Sequence, residues 1–174
     1  MDISSIAQCV HRAVPNMMIV RFNETLLEFL SNLKNTFPDY ELQFTTATNE
    51  LQLALRLGRP EVAMNMFSAV LGDDGLDKCI RHDEEFVFKL FSVIDFLKQF
   101  NVRDIWHQCP EDVRDHIWLY VIELASLVRS YNQAMKTTPE DVVRQVQGKD
   151  QQIEAMLTTG MAPMDILKAL IAKK

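Results

Sequence analysis

Glycine is scarce in this chain, with five among 174 residues, and the six prolines are far apart. So little turn chemistry excludes a fold of many short strands joined by tight hairpins, which need Gly, Asn and Pro at every corner. No stretch alternates apolar and polar residues persistently enough to displace a helical reading, although 41–46 alternates weakly. Cysteine is rare as well. Cys9, Cys79 and Cys109 are odd in number and widely spaced, which does not read as a disulfide framework and points to a reducing compartment. A basic excess is missing too. Eighteen Lys and Arg stand against 24 Asp and Glu, for a net charge of −6. Without clustered cations the chain is a poor partner for nucleic acid. No apolar run approaches the roughly 20 residues of a membrane-spanning helix. The opening segment has no basic start and no long apolar core, so it is not read as a signal peptide. The motifs of common enzymes are absent: no G-x-S-x-G, no H-E-x-x-H and no glycine-rich phosphate loop. The expectation is a protein that is not an enzyme and needs no cofactor.

What is present is helical periodicity within an ordinary globular composition, 48% hydrophobic and 24% charged. Residues 3–14 place Ile3, Ile6, Ala7, Val10 and Val14 on one face, and Pro15 is expected to stop that helix. Residues 17–35 carry Phe22, Leu26, Leu30 and Leu33 at helical spacing, ended by Pro38. A third helix over 39–57 aligns Leu51 and Leu55, with Gly58 as its left-handed terminator. Pro60 suits the first turn of a fourth helix, 60–71, carrying Met64, Phe67 and Leu71. A short turn covers 74–81. Residues 82–99 read as a strongly apolar helix with Phe86, Val87, Leu90, Phe91, Ile94 and Leu97. A short helix at 102–108 holds Ile105 and Trp106. Pro110 opens the longest helix, 110–131, whose buried face is expected to be Val113, Ile117, Tyr120, Val121, Leu124 and Val128, beside Trp118.

After Tyr131 the large aromatics end. Thr138, Pro139 and Asp141 form a capping-box-like start for a helix over 138–147. Pieces at 150–158 and from Pro163 follow. From Met135 to the end six basic residues meet five acidic ones, leaving the first 134 residues at −7. The expected organisation is an all-α bundle of about six to eight helices, with a core domain 1–134 and a helical appendage 135–174.

Several residue groups could carry chemistry. Cys79 with His82, and His107 with Cys109, could supply four zinc ligands. C-x2-H spacing is acceptable, but H-x-C is unusual and a proline follows Cys109. Half-buried cysteines and surface histidines at helix ends account for them better, so no metal site is assigned. Cys79–His82, or Cys109 with His107 or His116, could be nucleophile–base pairs, but no flanking signature supports either. Asp73 to Asp77 suggests a calcium loop with Glu84 at its twelfth place. Gly75 and Lys78 occupy positions that an EF-hand gives to a ligand and to glycine, so a plain turn is preferred. Asp83, Glu84 and Glu85, like Glu111 and Asp112, fall in first turns, where the helix dipole favours them. The tail from Gln152 loosely resembles two helices of a ubiquitin-associated module without its third, and a generic helical hairpin is the plainer reading. Met156, Met161, Met164, Leu167 and Leu170 form an adaptable apolar set suited to a partner surface.

Two stretches carry a family resemblance. One runs Phe22-Asn23-Glu24-Thr25-Leu26-Leu27-Glu28-Phe29-Leu30 and on to Phe37-Pro38. The other is Ile105-Trp106 followed by Ile117-Trp118-Leu119-Tyr120-Val121, Leu124 and Leu127. Together they resemble small helical proteins of large nucleocytoplasmic DNA viruses over roughly residues 20–131. Each of these residues also has a plain packing role, and no functional residue transfers. The resemblance implies a virus-encoded, non-enzymatic protein carried in the particle. The expectation is a minor capsid or virion-associated component, present in the virion and in host cytoplasm during assembly. Its appendage would contact capsid or other virion proteins, without nucleic acid or membrane insertion. The alternative expectation is a regulatory adaptor that binds a host protein through a helical groove or the Met-rich tail.

Overall fold

A computed structural model describes residues 3–146 and, beyond them, 152, 155, 156, 158–160 and 165. Among the described residues there are eight α-helices, a single 3-10 turn and no strand. The helices are α1 (Ile3–Thr36), α2 (Glu41–Arg56), α3 (Val62–Leu71), α4 (Gly75–Ile80), α5 (Glu84–Val93), α6 (Val102–Trp106), α7 (Glu111–Lys136) and α8 (Pro139–Val146), with the 3-10 turn at Pro38–Tyr40. The all-α reading holds.

The chain divides into two compact units, Met18–Ser130 and Met1–Met17 with Tyr131–Lys174. The sequence suggested one cut, between 134 and 135.

In the larger unit the core follows the helical stripes. Phe22, Leu26, Phe29, Leu30 and Leu33 of α1 are buried, as are Ile117, Trp118, Val121, Leu124, Ala125 and Val128 of α7. Val113 and Tyr120, expected in that face, are only half-buried. Phe22 meets the edge of Phe67 of α3 at 5.2 Å, and Phe29 meets Phe91 of α5 at 6.2 Å. Two polar side chains are buried here, and each bonds to a segment outside α1. Asn23 donates from Nδ2 to the carbonyls of Ile19 and Pro60, at 3.0 and 2.7 Å. Thr25 donates to Glu123 of α7 at 3.3 Å, and Arg21 pairs with the same carboxylate at 2.9 Å.

Two helix boundaries differ from the sequence reading. Pro15 does not stop a helix, because α1 runs through it. Proline removes the N–H that would reach the His11 carbonyl and costs about 3 kcal/mol within a helix. Val10 before it and Ile19 after it are both buried, which offsets that cost. The helix expected over 82–99 ends at Val93. Ile94 is extended, with φ −83° and ψ 116°, and turns follow to Phe100. Leaving the helix there lets Ile94, Phe96, Leu97 and Phe100 all be buried, more than one helical face would bury over so short a span.

Other signals appear where expected. Gly58 has φ 70°. Its N–H bonds the Leu55 carbonyl at 3.1 Å and that of Arg59 bonds Ala54 at 3.0 Å, the paired bonds of a Schellman end. In the smaller unit, Asp141 N–H donates to Thr138 Oγ1 at 3.2 Å, and Thr138 N–H donates back to Asp141 Oδ2 at 3.0 Å. That reciprocal box holds the Asp141 carboxyl below its usual range, chiefly through the backbone bond from Thr138. In the same unit Ala7 and Val10 are buried, and His11 Nε2 lies 2.7 Å from the Thr137 carbonyl. A carbonyl only accepts, so that nitrogen carries the proton.

Candidate functional site

Within the larger unit, the end of α1 and the first half of α7 enclose a cleft of about 450 Å³. Asn32, Leu33 and Thr36 line it from α1, with Phe37 just beyond. Asp112, Val113, His116, Ile117 and Tyr120 line it from α7. The α7 residues recur at i, i+1, i+4, i+5 and i+8, so one helical face presents all five.

A hydrogen-bond chain closes one end of the cleft. The Tyr120 hydroxyl donates to Glu28 Oε1 at 2.7 Å and accepts from Asn32 Nδ2. The Tyr120 ring stacks on Phe29 at 4.9 Å. Burial first, then the Glu28 contact, pushes the phenol above its ordinary pKa, so it remains a hydroxyl. His116 Nδ1 lies 2.6 Å from the Asp112 carbonyl. Since that oxygen can only accept, Nδ1 carries the proton and a neutral His116 keeps Nε2 as an acceptor. No Lys or Arg lines the cleft.

A second surface lies on α2. Phe44, Ala47 and Leu51 are buried. Leu42 and Leu53 are 76% and 55% exposed, and Leu57 just past the helix end is 63% exposed. Leu42 and Leu53 are eleven residues apart, so they lie about 20° from one another around the axis and roughly opposite the buried face. The outer side of this helix therefore carries two exposed leucines, with Thr46 and Asn49 between them.

The residues singled out in the sequence take up other work. Cys79 is fully buried, and burial pushes its thiol up to about 11. Cys109 is buried and raised for the same reason. Neither thiol is poised as a thiolate for attack. His82 caps α4 in the left-handed region, φ 56°, and stacks flat on Trp118 at 4.7 Å. Its N–H bonds the Cys79 carbonyl and that of Asp83 bonds Lys78, both at 3.0 Å. His107 is exposed, and His116 belongs to the cleft. Among the described residues no group of three or more His, Cys, Asp or Glu could hold a metal ion. The supposed calcium loop is the start of α4, where Asp74 pairs with Lys78 at 3.0 Å. Asp83 caps α5 by accepting from Phe86 N–H at 3.2 Å. Of the proposed partner set, Met156 is helical and half-buried; Met161, Met164, Leu167 and Leu170 lie outside the described residues.

Neither the cleft nor the outer α2 face was singled out from the sequence. The cleft joins residues some 80 positions apart and bears no motif. The α2 face did leave a signal, since Leu42 and Leu53 share a side that Leu51 does not.

No protein-family model, no curated protein and no solved structure matches the chain. No helix among the described residues is long and apolar enough to cross a membrane.

Proposed function

We propose that this chain is a non-enzymatic interaction protein, a minor capsid or virion-associated component of a large DNA virus that makes protein contacts within the particle. The observation that carries the interaction reading is the set of exposed leucines on α2 and just past its end. Leu42, Leu53 and Leu57 expose large aliphatic side chains on the helix face turned away from Phe44, Ala47 and Leu51. Large aliphatic side chains exposed on the side away from the core suit docking against another protein. The raised thiols of Cys79 and Cys109 weaken the cysteine-nucleophile alternative. The viral assignment is supported by the resemblance over residues 20–131.

The test is the double variant Leu42→Glu/Leu53→Glu in the native source. Exposed positions tolerate such changes to within about 0.5 kcal/mol each, so helical content and melting should be preserved. The expected result is a folded protein no longer recovered with particles. Normal recovery of the variant with particles would overturn the reading. Stable one-to-one binding of the native chain to a host protein, with none in particles, would replace it with the adaptor function.

A further inference from the structure

We infer that the cleft between α1 and α7 is a binding site for a guanidinium group, the side chain of an arginine on a partner polypeptide. Asp112 brings a carboxylate, and among the described residues no cation pairs with it. His116 commits Nδ1–H to the Asp112 carbonyl and keeps Nε2 to accept. Asn32 gives one Nδ2–H to Tyr120 and keeps Oδ1 to accept. Asn35 and Thr36 also line the cleft, in the last turn of α1, where the carbonyls form the negative end of the helix dipole. Glu28 adds a second carboxylate behind Tyr120.

Such a cleft is rich in acceptors and holds no cationic donor. An anion would meet like charge there, and a neutral ligand would leave the Asp112 charge answered only by the partial charge of the α7 N-terminus. A guanidinium offers five N–H donors in a plane, enough to serve acceptors on two helices at once, whereas an ammonium is a compact point charge. The apolar lining by Leu33, Val113 and Ile117 suits an aliphatic stem. The polypeptide bearer rests on the interaction reading above, but the chemistry of the cleft does not. Phe37 and Leu42 are five residues apart, so a partner seated on α2 has the cleft within reach.

The experiment titrates the full-length, isotope-labelled protein by NMR with N-acetyl-arginine amide, with the lysine analogue, and with the isosteric, uncharged citrulline analogue. With the arginine probe, amides in 32–37 and 112–120 should shift and saturate in the millimolar range. Citrulline and lysine should each bind at least tenfold more weakly. Asp112→Asn, a near-isosteric change at an exposed position, should weaken arginine binding about tenfold and leave remote resonances in place. Citrulline binding as well as arginine would show that charge is not what is read. Lysine binding equally well would remove the guanidinium assignment. No localised shifts, or an Asp112→Asn variant that binds normally, would remove the site. Because no partner is used, failure here is distinct from failure of the α2 variants.

Discussion

Replacing Phe100 should damage the larger unit more than its place in a turn suggests. The ring is 2% exposed and touches four others. Phe37, Tyr40, Phe44 and Phe91 lie at 5.5, 5.1, 4.6 and 5.7 Å. These neighbours come from the end of α1, the 3-10 turn, α2 and α5, so one side chain joins four segments. Truncating a buried Phe to Ala costs about 3–5 kcal/mol through lost transfer energy and the cavity left behind. Aromatic pairs add roughly 0.5–1.5 kcal/mol each beyond area, though not additively. Phe100→Ala should therefore lose about 4–5 kcal/mol, a large share of the ~5–15 kcal/mol of a typical domain. Phe100→Leu keeps most of the volume and loses the ring contacts, for about 1–2 kcal/mol. Urea unfolding followed by tryptophan fluorescence measures both. A Phe100→Ala loss below about 1 kcal/mol, or one equal to that of Phe100→Leu, would refute the argument, because the ring would then organise nothing.

Gly75→Ala should destabilise, since a Cβ there would lie 2.8 and 2.9 Å from Leu71 Cδ2 and Cβ and 3.1 Å from Phe86 Cζ. Overpacking of about 1–3 kcal/mol outweighs the ~1 kcal/mol that alanine gains in a helix, and a rise in the denaturation midpoint would contradict it. At His82, φ 56° favours glycine, while the stack on Trp118 favours histidine. His82→Ala loses the stack and keeps the strain, so His82→Gly should be the more stable variant by about 1 kcal/mol, and equal midpoints would count against the strain. The buried Cys79 thiol, raised from an ordinary value near 9 to about 11, sets an alkaline limit. In the unfolded chain the thiol ionises first, so its contribution is intact below pH 9 and is lost as pH rises towards 11. The slope is at most about 1.4 kcal/mol per pH unit. Cys79→Ala should flatten the fall of stability over that window, and an unchanged slope would assign it to other groups.

Local chemistry made much of the fold legible. Gly58 ends α2 and Thr138 with Asp141 begins α8 because caps depend on a few adjacent residues. Pro15 misled because a local breaking tendency was outweighed by burial on either side of it. The end of α5 at Val93 misled because Ile94 and Leu97 fit a continuing helix as well as a turn, and only the distant ring cluster around Phe100 favours the turn. The cleft was illegible for a related reason. His116 looks like a surface residue of α7 and Tyr120 like part of its buried face until the end of α1, with Asn32 and Glu28, is set against them. The cysteine and histidine pairs were readable as spacing, but burial decides their chemistry, and spacing does not report burial.

The central claim is that the outer face of α2 meets another protein, and a photo-crosslinking residue placed at Leu53 in the native source tests it most directly. A control placed at Gln99, which is exposed in the turn after α5, reports chance encounters. The account predicts that irradiated particles yield one dominant adduct from position 53, to a capsid or other virion protein, and none of it from position 99. No adduct from position 53, or the same adduct from both positions, would contradict it.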